Sequence, residues 1–159
     1  MKRIDRLMAN SLYKEKQKRL DELERERLYC RHGFDHAISV ARIMYIKALE
    51  KNLSFDKELI YAAALIHDIG RCDQYESGIP HHEAGERLAG EILPGCGFHE
   101  DEIAMIKEAI RSHRENERRP DSFQELLYEA DKLSRECYRC RAGDTCNWSE
   151  EKKNHTICY

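Results

Sequence analysis

Leu59-Ile60-Tyr61-Ala62-Ala63-Ala64-Leu65-Ile66-His67-Asp68 is the stretch on which the reading of this chain turns. Its near-uninterrupted apolar run, rich in Ala, predicts a buried helix rather than a strand. An imidazole and a carboxylate follow at the inner end. An ionised group placed there carries a large desolvation cost unless something neutralises it. A bound cation does so, because neutral imidazole nitrogen and carboxylate oxygen both ligate metals.

Further ligands are expected on other inward-facing helices. After Gly33, His36 is in register with Val40, Ile43 and Met44. Pro80 reads as a first helical residue, and His81 shares a stripe with Ala84, Gly85, Leu88 and Ile92. A helix from about His99 opens with Glu100, Asp101 and Glu102, which suits its dipole. Its stripe of Ile103, Ile106 and Ile110 continues to His113. Ser122-Phe123-Gln124-Glu125 is a capping box after Pro120. It opens a helix with Phe123, Leu126, Leu127, Ala130 and Leu133 on one side and Asp131 at its border. The expected set is His36, His67, Asp68, His81, His113 and Asp131, drawn from five helices around one core. A single His on such a stripe is more often a hydrogen-bonded core residue, and it is the joint pattern that argues for metal. His82 shares a face with Glu86 and Ala89, which suits solvent or an outer contact. His32, one turn before His36, could cap that helix or support it.

The motifs His36-Ala37-Ile38-Ser39-Val40-Ala41, Ile66-His67-Asp68-Ile69-Gly70, His81-His82-Glu83-Ala84-Gly85, His113 and Glu129-Ala130-Asp131-Lys132-Leu133 resemble those of the HD-domain metal-dependent phosphohydrolases. The resemblance covers about residues 30 to 135. It implies an all-α HD-domain helical bundle with a metal centre in the core, and His36, His67, Asp68 and Asp131 as ligands of one ion. His81 and His113 resemble the additional ligands of the subgroup that holds two ions bridged by Asp68. That subgroup includes hydrolases of bacterial dinucleoside polyphosphates and typically uses iron or manganese. The His and carboxylate shell itself also suits zinc, cobalt or nickel, and magnesium is a further candidate.

A divalent ion lowers the pKa of bound water, which is what phosphoester hydrolysis at neutral pH requires. Asp68, the carboxylate adjoining a ligand His, is the expected bridging and catalytic group. Cations that could orient a phosphate are Arg71, Arg114 and Lys132, the last also assigned a catalytic role. Gly70 and Ser77-Gly78-Ile79-Pro80 are loop signals, and a loop from Arg71 to Pro80 is expected to rim the pocket. The expected substrate is a nucleotide or related small phosphate ester or anhydride. Two other readings keep the ligands: an HD-fold di-iron oxygenase, and a metal-stabilised sensing module without turnover.

With 159 residues the chain suffices for one domain with a real core. No stretch reaches the roughly 18 apolar residues of a membrane span, and no leader-like apolar region follows the N-terminus. A cytoplasmic protein is expected. A net charge of −3 with 36% charged residues offers no basic tract suited to duplex nucleic acid. Residues 1–136, including an N-terminal helix, are assigned to the bundle and 137–159 to a Cys-rich tail. Between Arg3 and Arg27 the sequence is dense in charge, with Leu7, Leu20, Leu23 and Leu28 spaced through and just beyond it. It reads as a helix with a solvated face, along the bundle edge or in a homodimer contact. The tail holds Cys137, Cys140, Cys146 and Cys158, four of seven cysteines in the chain. In a reducing compartment these argue against structural disulfides and allow a second, thiolate metal site. Free thiols on a tail packed through Tyr138, Trp148 and Tyr159 are the plainer alternative, and an iron–sulfur cluster is a third.

Overall fold

The computed structural model describes residues 1–112 and 119–159. Among them are eight α-helices and no strand. In chain order the helices are α1 (Lys2–Ala9), α2 (Ser11–Leu23), α3 (Phe34–Glu50), α4 (Lys57–Ile66), α5 (Arg71–Ser77), α6 (His81–Ile92), α7 (Glu100–Ser112) and α8 (Phe123–Leu133). The fold is an all-α bundle, as the resemblance to the HD-domain family implies.

Helix α4 is the centre. The Asp56 carboxylate caps it, accepting from the backbone N–H groups of Glu58 and Leu59 at 2.9 and 3.1 Å. From Leu59 to Ile66 every side chain except the partly buried Tyr61 is removed from solvent. A helix apolar all round must be enclosed. Helix α3 packs along it, α7 and α6 contact it, and α1 closes a further side. Helix α8 lies against α3 and α7. His67 and Asp68, at the end of α4, therefore point into the middle of the bundle, 1% and 4% exposed.

The N-terminal segment differs from the single edge helix expected. It forms two helices, broken at Asn10, whose side chain caps α2 by accepting from Tyr13 N–H at 3.1 Å. Leu7 and Leu20 are fully buried, so this segment is part of the core; Leu28 lies beyond α2 and is exposed. Arg3 fastens α1 down. Its guanidinium meets Glu58, Glu102 and Asp56 and lies 4.4 Å from the Phe98 ring centroid. Asn10→Ala is expected to cost about 1 kcal/mol, the usual value of a lost N-cap. Thermal unfolding should then shift by roughly 2–4 °C. An unchanged melting temperature would mean the break needs no cap.

Two further boundaries depart from expectation. The segment after Gly70 forms helix α5, not a loop, ending at Gly78 with φ of +73°. Pro80 precedes α6 as its capping residue, and His81 is the first helical residue. The capping box at Ser122 forms in modified shape. Ser122 Oγ accepts from Glu125 N–H at 3.1 Å, while the Glu125 carboxylate returns to Asp121 N–H at 2.7 Å. No helix among the described residues is long and apolar enough to cross a membrane.

Candidate metal centre

Four of the expected ligands converge. One ligand atom from each of His36 (α3), His67 and Asp68 (the α4–α5 junction) and Asp131 (α8) lies within 4.8 Å of all the others. His36 Nε2 stands 3.6 Å from Asp68 Oδ2 and 3.4 Å from Asp131 Oδ1. His67 Nε2 stands 3.2 Å from Asp68 Oδ2. His81 flanks the group from α6, its Nε2 3.8 Å from the other Asp68 oxygen, Oδ1. His113 and Arg114, expected as ligand and phosphate contact, lie outside the described residues.

Each imidazole is aimed by its second nitrogen. His67 Nδ1 is 2.6 Å from the Ala64 carbonyl oxygen, an acceptor only, so Nδ1 carries the proton. The Ser134 hydroxyl donates to Asp131 O at 2.8 Å, leaving its oxygen to accept from His36 Nδ1 at 3.2 Å. The Gln74 carbonyl oxygen accepts from His81 Nδ1 at 2.6 Å and from His81 backbone N–H at 3.1 Å. In each case the Nε2 lone pair is turned inward. This is how metal-ligating histidines are ordinarily held. None of these three positioning groups was identified from sequence. Ser134, three residues after Asp131 at the end of α8, offered a faint positional signal; Gln74 offered none.

The Nε2 atoms of His36 and His67 are buried without a hydrogen-bond partner. Buried polar atoms in that state are rare and need explanation. Contacts of 3.2–3.6 Å, poorly aligned, are the separations expected of groups that share a cation rather than a proton. Electrostatics agree. Burial alone would raise the Asp68 carboxyl, yet His67, Arg71 and His36 hold it well below the usual carboxylate range. Asp131 is likewise held far down, against burial, by His36 and Lys132. Burial would lower His36, but Asp131 and Asp68 raise it to about 9. The two carboxylates thus attract a positive charge at His36 Nε2, and a divalent ion fits that place with its N and O donors.

The two described phosphate-contact candidates are attached to these carboxylates. Arg71 Nε donates to Asp68 Oδ1 at 2.7 Å, and Lys132 Nζ to Asp131 Oδ2 at 2.5 Å. Both also line an open groove that runs from Asp131 and His36 along the tail. Among its described lining residues ten are Lys or Arg and six Asp or Glu, a positive balance in a chain of net charge −3. His32 stands edge-on to the His36 ring at 5.6 Å, and its Nδ1 meets the buried Glu24 carboxylate at 2.8 Å. It supports His36 and does not cap α3. His82 lies edge-on to His81 at 5.9 Å with its Nδ1 buried and unpartnered.

The tail is not arranged as the four-cysteine reading supposed. Cys137, Cys140 and Cys146 line the groove together with Cys30, whereas Cys158 does not. Cys158 is exposed, and its neighbour Tyr159 donates to Glu50 at the far end of α3. Cys30 precedes the near end of that helix, which is roughly 25 Å long at 1.5 Å per residue.

An all-helical bundle with a central His and Asp cluster able to hold a divalent metal is the class that fold and site define. Residues 33–136 match the HD domain family, and the chain belongs to it. An uncharacterized protein of Clostridium beijerinckii is 41% identical over 159 residues, the full length of both chains. Ribonuclease Y of Lactobacillus gasseri and of Enterococcus faecalis are 27% and 29% identical over 128 and 126 residues. The chain spans only 22% of the length of each. The crystal structure of a predicted HD superfamily hydrolase from an uncultured Thermotogales bacterium superposes with a TM-score of 0.63 at 27% identity. That match covers 88% of this chain and 80% of the other. The protein is thus related to HD superfamily hydrolases, with a metal-binding constellation in place.

Proposed function

We propose that this protein is a metal-dependent phosphohydrolase that cleaves a phosphate ester or anhydride of a nucleotide or related molecule. The observation that carries this reading is the pairing of two buried carboxylates with two inward, unpartnered imidazole nitrogens beneath a groove rich in Lys and Arg. His36, His67, Asp68 and Asp131 would hold the first ion. His81, beside the second oxygen of Asp68, supports a second position and a bridging role for Asp68. When bound, the metal supplies Lewis acidity and a water of lowered pKa; iron or manganese is our preferred identity.

The protein's own groups do the rest. Ser134 and the Ala64 carbonyl fix which nitrogens of His36 and His67 face inward. Arg71 remains on Asp68, holding that carboxylate ionised and oriented. Lys132 stands at the groove edge, 29% exposed along its side chain. Were Asp131 to hold a cation, the grip of Lys132 on that carboxylate would weaken, and its ammonium at the groove edge could meet a substrate phosphate. The name of the ribonuclease Y relatives indicates cleavage of RNA, and it supports a phosphodiester or nucleotide substrate here.

The test strips the protein of metal and reloads it anaerobically with Fe(II) or Mn(II). Nucleotides, dinucleoside polyphosphates and short oligoribonucleotides are then screened for product release. Turnover without oxygen supports hydrolysis. No turnover of any phosphate ester by fully loaded protein would leave a sensing module. In the active preparation Lys132→Ala should raise KM roughly tenfold or more, the worth of a lost charge-assisted hydrogen bond, with metal content unchanged. Loss of metal instead would make Lys132 a support of Asp131.

A further inference from the structure

We propose that Cys30, Cys137, Cys140 and Cys146 form a zinc site of four thiolates, separate from the His and Asp centre, that ties the entry of α3 to the segment following α8.

Several independent contacts bring these residues to one place. All four line the same groove. Tyr29, adjoining Cys30, donates its hydroxyl to the Thr145 carbonyl, adjoining Cys146, at 3.1 Å. Arg27 Nε donates to the Cys30 carbonyl at 2.7 Å and fixes that strand of chain from the other side. The tail itself is a series of single helical turns: Cys140 N–H to Cys137 O, Gly143 N–H to Cys140 O, and Cys146 N–H to Gly143 O, at 3.2 to 3.3 Å. Such turns bring Cys137, Cys140 and Cys146 around in succession, as a two-residue-spaced cysteine pair and its following partner must be to share an ion. Asn154 secures the tail by donating to the Lys132, Leu133 and Arg135 carbonyls at the end of α8.

Without a cation the crowded Cys30 keeps its proton, and a bound metal would take that proton's place. Burial pushes the Cys30 thiol up, and Cys137, Cys140 and Cys146 push it further, with Arg135 acting in the opposite sense. Four thiolates around Zn²⁺ leave two negative charges. Lys153, paired with Glu150 at 2.5 Å and donating to the Gly143 carbonyl at 3.1 Å, also feels Cys146 and Cys137 and would offset part of that charge. The sulfurs are free, and no three of them lie within 4.8 Å of one another. Zn–S bonds of about 2.3 Å require closer approach. Binding therefore draws the turns inward, and each thiol releases its proton to solvent as it ligates. The clip would join the flanks of the two helices that carry His36 and Asp131 and so fix one wall of the groove.

Cobalt(II) is the probe, because sulfur-to-cobalt charge transfer reports thiolate ligands and is silent for His and carboxylate. Full-length protein carrying Asp68→Asn, with the central site disabled, is titrated so that any phosphohydrolase activity is irrelevant to the result. One cobalt per chain should produce the band, and zinc should displace it. Cys30→Ser and Cys140→Ser should abolish it, and Cys158→Ser should leave it intact. Absence of the band in the parent, or its loss in Cys158→Ser with retention in Cys30→Ser, overturns the assignment. Iron with acid-labile sulfide in anaerobically purified protein would replace zinc by a cluster and also overturn it. Should the serine variants not fold, alkylation of the otherwise unaltered chain with and without zinc decides the matter. Zinc should protect Cys30, Cys137, Cys140 and Cys146 and leave Cys158 reactive; equal modification of all five sinks the proposal.

Discussion

Asp68→Ala should empty the central cation site and take turnover to background in a single step. Asp68 is the residue on which the site converges: Oδ2 faces His36 Nε2 and His67 Nε2, and Oδ1 faces Arg71 Nε and His81 Nε2. No other described carboxylate touches all three imidazoles. Removing it takes away half of the negative charge that would balance a divalent ion and leaves Asp131 as the sole acidic ligand of the cluster. Metal content should fall below about a tenth of an equivalent and activity by roughly a thousandfold or more, in keeping with loss of a group that acts only as part of a unit. The Arg71 guanidinium also loses its partner in a partly buried site, a loss of the kind that costs about 3 kcal/mol or more when a buried pair is broken. Asp68→Asn, which keeps the volume, should lose metal equally with a smaller drop in melting temperature. A variant that retained stoichiometric metal and full turnover would remove Asp68 from the centre altogether. Elemental analysis alongside a phosphate-release assay reads both outcomes.

Helical period and polarity conflict at six positions, which made them legible as ligand candidates, and the resemblance to the HD-domain family singled out the quartet among them. His36 continues the stripe of Val40, Ile43 and Met44, Asp131 borders that of Leu127, and His67-Asp68 closes the most apolar run in the chain. Burial follows from the stripes, and paired burial of imidazole and carboxylate calls for a cation. Helix α5 was illegible for the opposite reason. Its seven residues carry almost no apolar period, and its order comes from distant partners: Asp73 is held by Lys16 at 2.5 Å and by Arg87 at 2.7 Å, and Gly70 by close packing on α6. Asn10 could not be read as a break from composition either, since only the cap geometry distinguishes two short helices from one long one. Cys30 sits far from the tail in sequence, and spacing rules see only neighbours along the chain. Its meeting with Cys137, Cys140 and Cys146 is a product of tertiary structure. The attachment of Arg71 and Lys132 to the ligand carboxylates belongs to the same class, because sequence shows adjacency and not which oxygen a cation will meet.

Among the glycines of this protein, Gly70 is where an added methyl group should do the most damage. A Cβ at Gly70 would lie 2.3 Å from the His81 carbonyl oxygen and 2.5 Å from Gly85 N, both backbone atoms of α6. Neither can rotate away as a side chain would, so α5 and α6 must separate or the Gly70 turn must reopen. Overpacking in a close-packed interior costs about 1–3 kcal/mol, and a clash on two backbone atoms belongs at or beyond the upper end, about 3 kcal/mol or more. The melting temperature should fall by roughly 6–12 °C for a chain of this size. The damage is also directed. His81 opens α6 and depends on Gln74 of α5 for its orientation, so separating the two helices moves its Nε2 away from Asp68. If His81 serves a second ion, Gly70→Ala should lose that equivalent of metal before the first, whose ligands come from α3, the end of α4 and α8. Gly85→Ala is the natural comparison. Its added Cβ meets the buried Ile110 Cγ2 at 3.1 Å and the His67 carbonyl at 3.5 Å, contacts relieved by a shift of a few tenths of an ångström, so about 1 kcal/mol and little metal loss are expected. Calorimetry and metal content of the two variants side by side settle the point, and equal, small effects would show that the α5–α6 contact can give without cost.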